Sequence, residues 1–147
     1  MFKPKRILVT TDFSEESDAA LREAVGIGEQ FRSTIYLLHV IPAIQACGVD
    51  YCLTDVEITS LQERLWEETE LKMKEMVGRV APDTMAEIVR EIRFGDIVKE
   101  AVALEHERSI DLVIAAPHRP RRRWLKETHH LVRDLVNKSA CETMVVR

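Results

Sequence analysis

Arg119, Arg121, Arg122, Arg123 and Lys126 crowd into eight residues, with Trp124 in their midst. Guanidinium groups grip phosphates and carboxylates through paired N–H donors, and an indole ring stacks on a base or fills an interface. The cluster therefore points to a small anion or to the acidic surface of a protein partner. The plainer alternative is a solvated loop whose arginines pair with local acids. His118, His129 and His130 flank the cluster. Imidazoles are common metal ligands, but these three show no recognised ligand spacing, and no metal is assigned. Asp12 has the chemistry of an acid or base, yet no motif supplies it with a second carboxylate or a nucleophile. There is no Gly-x-Ser-x-Gly and no P-loop lysine motif. No catalytic residue is assigned, and the protein is not expected to be an enzyme.

The elements that must position these groups follow from periodicity. Arg6-Ile7-Leu8-Val9-Thr10-Thr11-Asp12 opens as the continuous aliphatic run of a strand covered on both faces. Ser14 then suits a helix N-cap, with Glu15 and Glu16 at the positive end of the dipole. Ala20, Leu21, Ala24, Val25, Gly28 and Phe31 fall on one helical face, and its small members let the helix lie close on a sheet. Thr34–Ile41 is a second buried strand, stopped by Pro42, with His39 as a packed residue near its end. Residues 42–54 show no period and read as a loop.

A helix follows from about 56 to 80, with Ile58, Leu61, Leu65, Leu71, Met73, Met76, Val77 and Val80 as its apolar stripe. Core packing is the expected use of Met73 and Met76, with a partner surface as the lesser reading. Residues 86–94 alternate as an edge-like strand. Gly95-Asp96 turns into a helix capped by Asp96 and running to about Arg108. Asp111-Leu112-Val113-Ile114-Ala115-Ala116 is a fourth strand. The basic loop comes next, then a helix over about 128–138 and a short fifth strand at 143–147. Strands alternating with helices require crossovers, which give a parallel sheet with helices on both faces.

Composition bounds what such a chain can do. Its 147 residues are enough for one domain, taken here as 1–147, with a core of its own. Lys and Arg number 21 against 25 Asp and Glu, a net charge of -4, which argues against whole-surface binding to nucleic acid or an anionic membrane. The apolar run after the basic start spans only Ile7 to Val9, too short for a signal peptide or a membrane span, so a cytoplasmic location is expected. Three cysteines, Cys47, Cys52 and Cys141, form no disulfide or zinc pattern by spacing, and unpaired thiols in a reducing compartment are expected.

Three stretches together resemble the universal stress protein family. The first is Ile7-Leu8-Val9-Thr10-Thr11-Asp12-Phe13-Ser14-Glu15-Glu16-Ser17, leading into Ala19-Ala20-Leu21. The second is Leu37-Leu38-His39-Val40-Ile41-Pro42. The third runs from Gly95-Asp96 through Asp111-Leu112-Val113-Ile114 to Met144-Val145-Val146-Arg147. Their order and spacing carry the resemblance, which covers nearly the whole chain and is weakest over 42–60.

The resemblance implies an α/β, doubly wound, five-stranded parallel sheet, adenine nucleotide alpha hydrolase-like and Rossmann-like. It also implies a stress-response role and a homodimer through the C-terminal strand. Family members that bind ATP carry Gly, two residues, Gly, nine residues, Gly, then Ser or Thr. There, backbone amides and a helix N-terminus cradle the phosphates. Here those positions are Ala116, Arg119, His129 and His130, and Pro117 and Pro120 remove two further donors. The outer parts of that pocket are kept at Asp12 and Val40. The pocket residues implied are thus Asp12, Val40, Ala116, Arg119, Arg122, His129 and His130, as an altered nucleotide site. No cofactor bound in the family manner is expected. The alternative is ATP or another anion held by the arginine-rich loop 119–126 in a regulatory switch.

Overall fold

The computed structural model describes residues 1–117 and 131–147. The element order is β1 (Arg6–Thr10), α1 (Glu15–Phe31), β2 (Thr34–Ile41), α2 (Asp55–Val80), β3 (Glu87–Phe94), α3 (Ile97–Arg108), β4 (Leu112–Ala115), α4 (Leu131–Lys138) and β5 (Glu142–Val145). The strands form one parallel sheet in the order β3-β2-β1-β4-β5. Winding runs outward from β1 through β2 to β3, then returns to the other side of β1 for β4 and β5. The switch point therefore lies between β1 and β4, where open sheets of this kind have their ligand crevice.

Alternation along the strands builds two cores. Ile7, Val9, Ile35, Leu37 and Ile114 face α1 and α2, meeting Ala20, Leu21, Ala24, Met73 and Met76. Leu8, Leu38, Val40, Val113 and Ala115 face α3 and α4, meeting Val98, Ala101, Leu104, Leu131 and Leu135. Met73 and Met76 are core residues, as the periodicity indicates, but Leu71 is 59% exposed and stands outside the stripe predicted for it. The caps fall where the sequence puts them. The Ser14 side chain accepts from the Ser17 amide, and the Asp96 side chain from the Lys99 amide. Helix α2 begins one residue ahead of its periodicity because Thr54 and Glu57 form a capping box.

One expectation is overturned. Cys47 and Cys52 are not unpaired thiols: they are joined as a disulfide, and Cys141 alone is free. The stretch 42–54 is not shapeless, because Cys47 and Cys52 pair in an antiparallel bridge. That bridge is flanked by the bonds Gly48 N–H to Tyr51 O at 2.8 Å and Leu53 N–H to Ala46 O at 2.7 Å. In such a non-hydrogen-bonded pair the side chains approach most closely, which brings the sulfurs together. The predicted helix start at 128–130 and the basic loop lie outside the described residues.

Close approach of α1 to the sheet depends on Gly28. A Cβ added there would meet Ile35 Cδ1 at 3.0 Å and Ala86 Cβ at 3.3 Å, whereas one added at Gly78, on the exposed side of α2, meets nothing within 4 Å. Gly28→Val should lower unfolding stability by about 1–3 kcal/mol through overpacking. Gly78→Ala should raise it by roughly 0.5–1 kcal/mol by restricting the unfolded chain and improving helix propensity. Urea titration of the two variants checks the opposite signs.

Candidate functional site

The carboxyl end of β1 becomes α1 through a chain of side-chain bonds. The buried Thr11 hydroxyl donates to Ser17 Oγ at 3.0 Å and accepts from the Phe13 amide at 2.9 Å. Ser17 Oγ in turn donates to the Ser14 carbonyl at 2.9 Å. The Asp12 carboxylate accepts from the Ser14 amide at 3.0 Å and from the Ser14 hydroxyl. These bonds hold Phe13 in the left-handed region, with φ 64°, a conformation costly for an aromatic residue and found where surroundings over-determine it.

Strand β2 outruns its neighbour. β1 stops pairing with it at Thr10 opposite Leu38, followed by the Thr11 amide donating to Leu38 O at 2.9 Å. His39, Val40 and Ile41 continue past that point. His39 Nδ1 lies 2.7 Å from the Thr11 carbonyl, and since a carbonyl only accepts, Nδ1 carries the proton. The His39 and Phe13 rings lie 4.6 Å apart between centroids, and Lys72 Nζ sits 5.8 Å from the Phe13 centroid. Val40 is 8% exposed, its side chain packed in the core beneath α3 and α4.

Beside β1, β4 leaves the sheet through Ala115-Ala116-Pro117. The Ala116 methyl is buried in the core on the α1 side of the sheet. Pro117, next in the chain, has no N–H to offer. Of the implied pocket, the structure thus brings Asp12, Val40 and Ala116 to one end of the sheet at or beside the switch point. Asp12 is exposed there, and the other two are buried. Arg119, Arg122, His129 and His130 lie outside the described residues, as do Arg121, Arg123, Trp124, Lys126 and His118. Among the described residues no group of His, Cys, Asp or Glu is placed to hold a metal.

Phe13 belongs to this end of the sheet and was not singled out from sequence. Its signal was available in the Asp-x-Ser step, where an Asx-type bond forces the intervening residue out of the strand. A second feature missed from sequence is a groove of about 260 Å³ along α2 and the end of β3, lined by Gln62, Glu63, Trp66, Glu67 and Phe94. Trp66 and Phe94 stack in it with centroids 6.3 Å apart.

Comparison with known proteins matches residues 3–147 to the Universal stress protein family. The chain belongs to that family. A Universal stress protein A homolog from Haemophilus ducreyi is 30% identical over 114 residues, 78% of this chain and 77% of that protein. The structure of universal stress protein UspA from Lactobacillus plantarum superposes with a TM-score of 0.81 at 19% identity, covering 100% of both chains. A crystal structure of a universal stress protein in complex with cAMP has a TM-score of 0.71 at 14% identity, covering 99% of this chain and 98% of that one. The family resemblance and the doubly wound parallel fold read from the sequence both stand. The chain is a UspA-like stress-response protein, and no described helix is long and apolar enough to cross a membrane.

Thr11→Val tests the turn that shapes this end of the family fold. It leaves the Phe13 amide without its buried acceptor and should cost about 1–3 kcal/mol in chemical denaturation. Thr11→Ser, which keeps the hydroxyl, should recover most of that loss.

Proposed function

We propose that this family member acts without catalysis, as a homodimer that binds other proteins, and that it does not hold ATP in the family manner. The observation that supports this is the exit of β4. A backbone phosphate cradle needs glycine-like approach and free amides, but Ala116 turns its methyl into the core and Pro117 follows it. The first turn of α1 offers no substitute, since Glu15, Glu16 and Asp18 make it acidic. The Ser14 hydroxyl donates to Asp12 and also accepts from the Ser17 amide at 3.2 Å, so it is engaged in capping the helix. A cytoplasmic location fits this role.

The dimer reading rests on β5, which ends the sheet beyond β4 and leaves one edge unpaired, with Val145 38% exposed. Such an edge invites pairing with a second copy. Light scattering should give twice the chain mass for the parent protein. Val145→Lys, at an exposed position of that edge strand, should shift the equilibrium toward monomer. A parent protein that stays monomeric at micromolar concentration would remove this part of the reading.

The second reading is an anion-binding switch. The structure of a family member with cAMP favours it, together with the arginines of 119–126 in the sequence. Calorimetric titration with ATP·Mg²⁺, on protein checked for co-purified nucleotide, separates the two. No heat is expected. Micromolar binding that is abolished in Arg121→Ala/Arg122→Ala/Arg123→Ala would establish the arginine-based site instead.

A further inference from the structure

The disulfide hairpin between β2 and α2 is used by neither reading above. Cys47 and Cys52 are both exposed, and the ring they close contains only Gly48, Val49, Asp50 and Tyr51 between them. Tyr51 folds its ring over Gly48, where an added Cβ would lie 2.7 Å from Tyr51 Cε1. Val49 and Tyr51 are 100% and 63% exposed at the tip.

The crosslink holds none of the core together. No residue from 42 to 68, all of them described, is fully buried; burial resumes at Thr69. Each side of the hairpin is anchored independently. The Ile41 carbonyl accepts from the Gly95 amide at 2.9 Å. On the other side, Thr54 and Glu57 cap α2, with the Thr54 amide donating to Glu57 Oε2 at 2.7 Å. If the sulfurs part, the two backbone bonds of the hairpin lose their crosslink, while β2 and α2 keep their own partners. Disulfides that are exposed and uncoupled from the core are the labile ones, opened by ambient thiols without unfolding.

We propose that the Cys47–Cys52 hairpin is a thiol–disulfide exchange site whose co-reactant is a dithiol. A thiolate of the dithiol attacks one cysteine sulfur, and the S–S bond breaks. The other cysteine leaves as a thiolate that takes a proton from water. The second thiolate of the reductant then attacks the mixed disulfide at its own sulfur, releasing the first cysteine, which is likewise protonated. The protein disulfide is reduced by two electrons, and the dithiol is oxidised to its cyclic disulfide. The open and closed hairpins differ in how firmly the exposed tip at Val49 and Tyr51 is held, next to the end of β2.

Cys141 is the internal contrast. It is half-buried, and burial, followed by the charge of Glu105, pushes its thiol up to about 12, so it stays protonated and slow to react at neutral pH.

The test treats the full native chain with dithiothreitol, then alkylates it and locates the label by mass, with amide exchange measured in parallel. Cys47 and Cys52 should take label within minutes, at a rate at least roughly tenfold above Cys141. Exchange at the Gly48 and Leu53 amides should rise by roughly tenfold while β1 and β2 stay protected. Re-oxidation should restore both. Cys47→Ser/Cys52→Ser should fold and show the exchange pattern of the reduced chain. The proposal fails if the sulfurs react only in denaturant, if both take label before any reductant is added, or if reduction strips protection from the whole sheet.

Discussion

β1 is buried on both faces, with Ile7, Leu8 and Val9 fully out of solvent, so the chain can leave it only where its polar groups find partners within the protein. The Thr11 hydroxyl meets that constraint. It caps the strand by accepting from the Phe13 amide and reaches the helix by donating to Ser17, and its oxygen also lies 3.3 Å from Met76 Sδ of α2. One side chain thereby ties the end of β1 to the first turn of α1 and to Met76 of α2. The left-handed Phe13, the outward carboxylate of Asp12 and the overrun of β2 all follow from that stop.

Both ends of the sheet are closed by bonds between side chains and backbone. At the amino end the Asp111 carboxylate accepts from the Lys5 amide at 2.9 Å and from the Arg6 amide at 3.2 Å, and Arg6 Nε donates to the Ser109 carbonyl at 2.9 Å. Acceptors and donors there close on one another, joining β1 to the entry of β4. Buried Glu105 does the same work between α3 and β5, accepting from Ser139 Oγ at 2.7 Å and the Ala140 amide at 3.1 Å. The edge strand β3 is tied to α3 by Arg93 with Glu100 and Glu107, and by Arg108 with Glu91. The Arg93 guanidinium holds the Glu107 carboxyl below the usual carboxylate range. At the carboxyl end Asp12 is exposed and bonded to Ser14, while half-buried His39 donates to the Thr11 carbonyl.

What the sequence made legible was whatever a short window determines. Ser14 and Asp96 announce their helices because a cap is a contact across three residues, and Thr34–Ile41 reads as a buried strand because aliphatic side chains fill both of its faces. Leu71 misled because a stripe drawn over a helix of 26 residues assumes a uniform partner, while α2 buries only Thr69, Met73 and Met76 fully. The Cys47–Cys52 pair was missed because a cysteine count treats sulfur as bookkeeping by number. Pairing across the hairpin decides it: the Gly48 and Leu53 amide bonds set Cys47 opposite Cys52, with Gly48 leaving room for the Tyr51 ring. At the site, Asp12 and Ala116 were placed from the family motif, while Phe13 needed the backbone geometry of the turn. Val40, which the resemblance also implied for the pocket, has its side chain in the core.

The described core also explains how a family fold can survive the loss of its phosphate motif. Both hydrophobic clusters close through residues of the strands and helices, and the motif position among them, Ala116, adds a methyl to the packing. A glycine there would remove apolar contact from the core, at a cost of roughly 1 kcal/mol per buried methyl. Glycine at such a position is therefore held by a ligand's need for close backbone approach and opposed by packing. Where that need is relaxed, alanine is the residue that packing favours, and a proline after it stiffens the exit of β4 at the expense of one N–H. Ala116-Pro117 is thus a strand end whose methyl suits the core and whose backbone offers one N–H fewer.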